Sequence, residues 1–381
     1  MSATSPESPE SAGSAGFPTS AGSPESAGSP ESSSTSPTSA TSRPARSPRP
    51  GSAESEIAKE RTFGGVGVEV DREIRVIDLS DDSMSRADLD DALWSAAADT
   101  GFFQVKGHDI PESQIDEAFE MSARFFALPE AVKARRAMPS GTNSGWEFRS
   151  QRRPSTGTLD QKESYQVTIS RMDALDLWPS DDELADFRRT MEAFESANRA
   201  LAMRILSSFA RKLGFADDFF TERHDPTSAD YQSTLRLLHY LPIEADDLRE
   251  GEWRAGAHTD FDCLTLLHQR EGQRGLQLCP GADAARRDDG GELEWTSVEP
   301  AAGTVTCNIG DMLTRWSDDQ LPSTLHRVRM PRPDEHLGPR YSIAFFAQAD
   351  RDAVIEPPSG DYEPITAHDY LQQRIAANFA G

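Results

Sequence analysis

The stretch GAHTDFDCLTLLH, Gly256 to His268, holds the pattern on which the rest of the sequence turns. His258 and Asp260 stand two residues apart, and Thr265–His268 reads as a short strand. On a strand, residues two apart point to the same face, so an imidazole and a carboxylate would project together. Outward from this stretch, short apolar runs alternate with Gly, Pro and Asp turns. They are Thr234–Tyr240, Leu276–Leu278, Glu294–Val298, Thr304–Asn308, Met312–Trp316, Thr324–Val328 and Tyr341–Phe346. Many short strands at such spacing indicate a sandwich or barrel.

The N-terminal half has a different texture. Arg75–Leu79 and Phe102–Lys106 read as strands, and Ser85 with Asp88 three residues on predicts a capped helix that Gly101 ends. Pro111–Leu128 and Asp181–Leu213 carry helical spacing. The second of these shows Leu184, Phe187, Met191, Phe194, Ala197, Leu201, Ile205, Phe209 and Leu213 as one stripe, predicting a single long helix. Gly141–Thr158 reads as loop, and a last helix is expected over Ala367–Phe379. The fold class is therefore mainly β with helices (α+β). The expected division is a Ser/Pro/Gly-rich disordered tail over 1–55, a helical region over 56–230, a β-rich core over 231–350 and a C-terminal helix over 351–381. The tail repeats SPESAGS at Ser8–Ser14 and Ser23–Ser29 and offers almost no apolar surface to offset the entropy of ordering it.

Formal net charge is −25, from 39 basic and 64 acidic residues, and the tail contributes only five Glu against three Arg. An acidic surface of this kind repels phosphate backbones and anionic lipid, which excludes nucleic acid and membrane as expected partners and leaves a small-molecule substrate. Oligomeric state is not legible. Cys263, Cys279 and Cys307 are an odd set without paired spacing, as in a reducing compartment. No basic-then-apolar leader and no run near 18 apolar residues is visible, so the cytoplasm is the expected location.

A third ligand would complete a metal site with His258 and Asp260. His326, in STLHRV, follows 66 residues after Asp260 in the same strand-rich half, with His268 and His336 as competitors. Two His and one carboxylate on one face of an iron leave positions open for a chelating 2-oxo acid and dioxygen, whereas a zinc hydrolase needs one open position for water. Arg340 and Ser342 are again two apart, and an Arg fork beside a hydroxyl suits a carboxylate. Arg332 is closer to His326, but its second neighbour is Asp334 rather than Ser. Tyr240 could add a second hydroxyl or simply pack in the core.

The order of motifs resembles that of the iron(II)/2-oxoglutarate-dependent dioxygenases, in their isopenicillin N synthase-like branch. It is carried by GFFQVKGHDIP (Gly101–Pro111), FFALPEAVK (Phe125–Lys133), DQKES (Asp160–Ser164), LRLLHYLP (Leu235–Pro242), GAHTDFDCLTLL (Gly256–Leu267), GLQL (Gly275–Leu278), NIGDMLTRWS (Asn308–Ser317), STLHRV (Ser323–Val328) and RYS (Arg340–Ser342). The resemblance implies a double-stranded β-helix (jelly roll) core with N-terminal and C-terminal helices. It implies Fe(2+) held by His258, Asp260 and His326, with no catalytic side chain beyond the metal centre. Arg340 and Ser342 match the residues for the distal carboxylate of 2-oxoglutarate, and Tyr240 matches a co-substrate tyrosine. Leu238 stands where many members have Asn, and Cys279–Glu292 and Met330–Pro339 are longer than usual.

The implied activity is oxidation of a C–H bond of a small molecule with dioxygen as co-substrate, by hydroxylation, desaturation or cyclisation, as in secondary metabolism. Phe346 shares strand parity with Arg340 and Ser342, Phe261 adjoins the ligand pair, and Trp146, Arg149, Arg152 and Tyr165 sit in or beside a loop that covers the mouth in this family. These are the candidate substrate-pocket residues. Other readings are an oxidase of the isopenicillin N synthase type that uses no 2-oxoglutarate, and a metal-free binding protein that kept the jelly roll. A zinc hydrolase on another β fold would leave Arg340 and Ser342 unexplained.

Overall fold

The computed structural model describes residues 67–149, 160–244, 253–280 and 292–379. The tail expected over 1–55 and Arg152 lie outside these residues.

Among the described residues, thirteen strands make the two sheets of the core. They are β1 (Val68–Glu69), β2 (Val76–Asp78), β3 (Phe102–Lys106), β4 (Gly145–Phe148), β5 (Lys162–Val167), β6 (Thr234–Tyr240), β7 (Trp253–His258), β8 (Leu264–Gln269), β9 (Leu276–Cys279), β10 (Glu294–Ser297), β11 (Val305–Ile309), β12 (Leu325–Arg329) and β13 (Arg340–Ala347). The larger sheet runs β2-β3-β11-β8-β13-β6-β5-β4 and the smaller β1-β10-β9-β12-β7. Their inner faces meet. Leu238, Tyr240 and Ala344 of the large sheet pack with Ala255 and Val328 of the small one, and Phe102 packs with Leu276 and Leu278. This is the jelly roll. Four of its large-sheet strands come from before residue 231, so the β core reaches into the expected helical region.

The outer face of the large sheet is covered by helices α1 (Arg86–Thr100), α2 (Glu112–Phe126) and α4 (Phe187–Lys212), with the short α3 (Asp181–Leu184) before α4. Helix α1 starts on a Ser85–Asp88 capping box and stops at Gly101, whose φ of 71° suits glycine. The stripe on α4 enters the main core with Phe125, Leu237, Leu266 and Phe345. The single helix expected over Asp181–Leu213 is two. Ala185 is extended and Asp186 takes φ 64°, so the chain turns before Phe187 although the apolar spacing runs on.

Two further expectations change. Met312–Trp316 is not a strand but part of helix α5 (Asp311–Trp316), because Gly310 opens a helical turn that an apolar run of this length fits equally well. The expected loop Gly141–Thr158 contains β4, which pairs with β5. The last helix, α6 (Ala367–Phe379), lies where the sequence places it.

Candidate metal centre and co-substrate site

Among the described residues, His258, Asp260 and His326 form a set whose ligand atoms all lie within 4.8 Å of one another. His258 ends β7 and His326 sits opposite it on β12. Asp260 is not on that strand. It lies in the bend after it, so shared strand parity is not what aims it; the turn and its hydrogen bonds do. Asp260 Oδ1 is 4.0 Å from His258 Nε2 and 3.8 Å from His326 Nε2.

Every other polar atom of the three is already engaged. His258 Nδ1 is 2.8 Å from Gly256 O, and His326 Nδ1 is 3.1 Å from Thr324 O. A carbonyl accepts only, so each Nδ1 carries the proton and each Nε2 presents its lone pair inward. Asp260 Oδ2 accepts from Thr265 Oγ1 at 2.6 Å and from Asn308 Nδ2 at 2.8 Å, which leaves Oδ1 facing the imidazoles. Two neutral imidazole nitrogens and one carboxylate oxygen, oriented by their neighbours, suit a divalent transition metal. The competitors drop out. His268 faces the helix-side core, 2.7 Å from Asn198 Oδ1, and His336 is exposed beside Pro339 O.

Register sorts the rest of the interior. Arg340 pairs with Tyr240, which pairs with Lys162; Ser342 pairs with Leu238, which pairs with Ser164. Arg340, Ser342 and Tyr240 therefore share the inner face with Lys162 and Ser164. Arg340 is 1% exposed and donates from Nε to Gln273 O at 3.1 Å; its guanidinium lies 4.7 Å from the Tyr240 ring centre and 3.5 Å from Ser342 Oγ. Arg254, 2% exposed, donates to Gly338 O at 3.2 Å, while its buried Nε has no hydrogen-bond partner among the described residues. Lys162 Nζ lies 3.0 Å from Asp160 Oδ2, and Asp160 Oδ1 accepts from Gly256 N.

Lys162 is thus answered by Asp160, and Glu335 near Arg254 is answered by Arg329, while Arg340 and Arg254 are buried with no ion pair among the described residues. Burial, then the charge on Arg340, pushes the Arg254 guanidinium down to about 10, and burial lowers Arg340 as well. Guanidinium groups stay protonated, so the two arginines are held charged in a place where burial disfavours the charge. Arg254, Lys162, Thr265 and Asn308 are missing from the sequence-derived set. Lys162, Thr265 and Asn308 each stand in a quoted motif, DQKES, GAHTDFDCLTLL and NIGDMLTRWS, whereas Arg254 stands in none.

The pocket candidates separate by face. Phe346 is on the inner face, paired with Thr265, and the Arg236 guanidinium lies 4.9 Å from its ring centre. Phe261 is half-buried under Arg374 at 4.8 Å. Trp146 and Tyr165 do not belong to the pocket. They pair with each other on the outer face, where Trp146 Nε1 donates to Glu163 and the Tyr165 hydroxyl donates to Leu177 O at 2.5 Å within the main core. Their neighbours Glu147, Ser164 and Gln166 face inward instead. Ser164 Oγ donates to Glu147 Oε1 at 2.7 Å, and Arg236 donates to Gln166 Oε1 at 2.8 Å. Arg149 is exposed at the end of β4 and donates to Gln161 Oε1 at 2.6 Å.

Comparison with known proteins agrees with this geometry. Residues 74–181 match the family model described as non-haem dioxygenase in morphine synthesis N-terminal, and residues 231–349 match that of the 2OG-Fe(II) oxygenase superfamily. The chain is 32% identical over 306 residues to the proline hydroxylase buaE of Petromyces alliaceus, covering 75% of this chain and 92% of the relative. It is 31% identical to the homoarginine-6-hydroxylase 2-ODD-233 of Oryza sativa subsp. japonica, covering 76% and 88%. The crystal structure of a full-length Neurospora crassa protein in complex with alpha-KG and thymine superposes with a TM-score of 0.69 at 28% identity, covering 80% of this chain and 97% of that one.

Proposed function

Because this chain belongs to the iron(II)/2-oxoglutarate-dependent oxygenases, in their isopenicillin N synthase-like branch, we propose that it holds ferrous iron through His258, Asp260 and His326 and binds 2-oxoglutarate with Arg340, Ser342 and Tyr240. The observation that carries this reading is the convergence of His258 Nε2, His326 Nε2 and Asp260 Oδ1 while Nδ1 of each imidazole and Oδ2 are occupied elsewhere. Ferrous iron supplies dioxygen activation coupled to oxidative decarboxylation of the 2-oxo acid, and so the oxidising power for a C–H bond.

The protein's own share is positioning and electrostatics. Thr265 and Asn308 fix the Asp260 carboxylate, and Gly256 O and Thr324 O fix the ring orientations. Arg340 supplies a planar fork for the far carboxylate of the co-substrate, and its burial makes that contact strong and water-free. Arg254 adds a second positive charge nearby. On the substrate side, Phe346 offers an apolar face one strand from Thr265, and Arg236, held by Gln166, offers a cation beside it.

The substrate is a small molecule, in keeping with relatives named for proline and homoarginine hydroxylation, and secondary metabolism is its proposed setting. The net charge of −25 supports a reading without nucleic acid or membrane partners. Among the described residues no helix is long and apolar enough to cross a membrane. The cytoplasm is the proposed location, supported by the buried thiols of Cys263 and Cys307, which form no disulfide. The test is succinate release under air from protein supplied with Fe(II) and 2-oxoglutarate, with a metabolite library to find the substrate. Succinate that requires both additions is expected. Substrate oxidation without succinate would make the protein an oxidase that uses no 2-oxoglutarate.

A further inference from the structure

The C-terminal helix α6 reaches the metal loop through one side chain. Arg374 has no exposed surface and ion-pairs with buried Asp311 at 2.7 Å. The same Nη2 donates to Thr259 Oγ1 at 3.1 Å, and Thr259 Oγ1 lies 3.3 Å from Asp311 Oδ2. The guanidinium also covers the Phe261 ring at 4.8 Å. Asp311 closes the circuit from α5: its backbone N–H donates to Asp260 O at 2.8 Å. Thr259, Asp260 and Phe261 are consecutive, and they follow His258 directly. Asp260, which carries the carboxylate ligand, and its neighbours on either side are therefore each touched by Arg374 or by its partner Asp311.

Docking a helix does not require this arrangement. Apolar residues of similar volume would dock α6 without desolvating two charges, and burying an ion pair is weak evidence of a purely stabilising role. What a guanidinium adds is direction. Its planar Nη2 group engages Asp311 and Thr259 at once in fixed directions, where a hydrophobic contact would let the loop slide.

We propose that Arg374 is a positioning residue for the metal centre, through which the docking of α6 and the binding of iron are coupled. The inference rests on the assignment of His258, Asp260 and His326 as iron ligands. Coupling of this kind is reciprocal: if the docked helix improves the site for iron, then iron tightens the docking of the helix.

The test uses the full chain, with anaerobic Fe(II) titration and hydrogen–deuterium exchange of the peptide covering 367–379. Arg374→Met is expected to weaken Fe(II) binding by about 10-fold or more, the range seen when a partner of a metal ligand is lost. Arg374→Lys keeps the charge opposite Asp311 and restores part of that loss. Thr259→Val keeps the ion pair and the Phe261 contact but removes the hydrogen bond from Arg374 to the loop, and weakens Fe(II) binding by a smaller factor. In the wild type, Fe(II) slows exchange in α6; in Arg374→Met the slowing disappears. Unchanged Fe(II) affinity in folded Arg374→Met overturns the proposal, as does wild-type α6 exchanging alike with and without Fe(II). Should Arg374→Met fail to fold, Thr259→Val and the wild-type exchange decide alone. A wild type that binds no Fe(II) at all is a different result: it removes the ligand assignment and this inference with it.

Discussion

The two ends of the barrel interior have opposite electrical designs. Around His258, Asp260 and His326 the protein presents acceptors, and each atom not aimed at the common point already has a partner. Around Arg340 it presents donors. Arg340 and Arg254 are buried there with no ion pair among the described residues, and the Arg254 Nε has no hydrogen-bond partner among them. A site finished in all but its metal-facing atoms is built for a cation. A site with surplus buried positive charge is built for an anion. A 2-oxo acid with a carboxylate at its far end answers both, since its chelating head suits the first and its tail the second.

Substitutions at the two ends should therefore fail differently. The largest effect is expected from His258→Ala, Asp260→Ala or His326→Ala, which should lower Fe(II) affinity by at least about 100-fold, at or beyond the upper range for losing a mere partner of a ligand. Anaerobic iron titration measures it. Next comes Arg340→Ala. Removing one member of a buried charge-assisted contact costs about 2–5 kcal/mol, so the 2-oxoglutarate KM should rise roughly 30-fold or more while Fe(II) affinity stays within about 3-fold. Equal loss of iron and co-substrate binding in that variant would erase the distinction between the ends.

Arg254→Gln sharpens the comparison further. Loss of its charge should raise the 2-oxoglutarate KM by about 10-fold, near 1.4 kcal/mol. It should also reduce the preference for 2-oxoglutarate over a 2-oxo acid that lacks the distal carboxylate. A preference that does not change would show that Arg254 plays no part in reading the anion. The smallest effect belongs to the far side of the sheet. Tyr165→Phe deletes a buried hydroxyl that donates to Leu177 O, so it should cost about 0.5–1.5 kcal/mol of stability, read by denaturant unfolding, and leave both KM and iron affinity unaltered.

That last contrast also marks where the sequence stopped being readable. Arg340 and Ser342 could be placed on one face because two-residue spacing within a single strand is a local property, and register agrees with their shared face. Trp146 and Tyr165 could not be assigned to a face without knowing that Lys162 pairs with Tyr240 across β5 and β6. That pairing involves residues far apart in the chain, and a shift of one residue exchanges the faces. The partners of Asp260 illustrate the same boundary: Thr265 on β8 is close by in the chain and Asn308 on β11 is three strands further on, yet both reach one oxygen. The break at Asp186 was hidden for the opposite reason, since the apolar stripe continues through a residue whose backbone alone departs from the helix. Helix ends set by capping chemistry, such as Ser85 and Gly101, were legible because that chemistry is local.

The claim that one barrel end binds iron and the other the far carboxylate of the same co-substrate is tested most directly by anaerobic calorimetry of 2-oxoglutarate binding, with and without Fe(II). The account predicts tight binding that requires Fe(II) and is lost in Asp260→Ala. Binding of equal strength with and without the metal would contradict it.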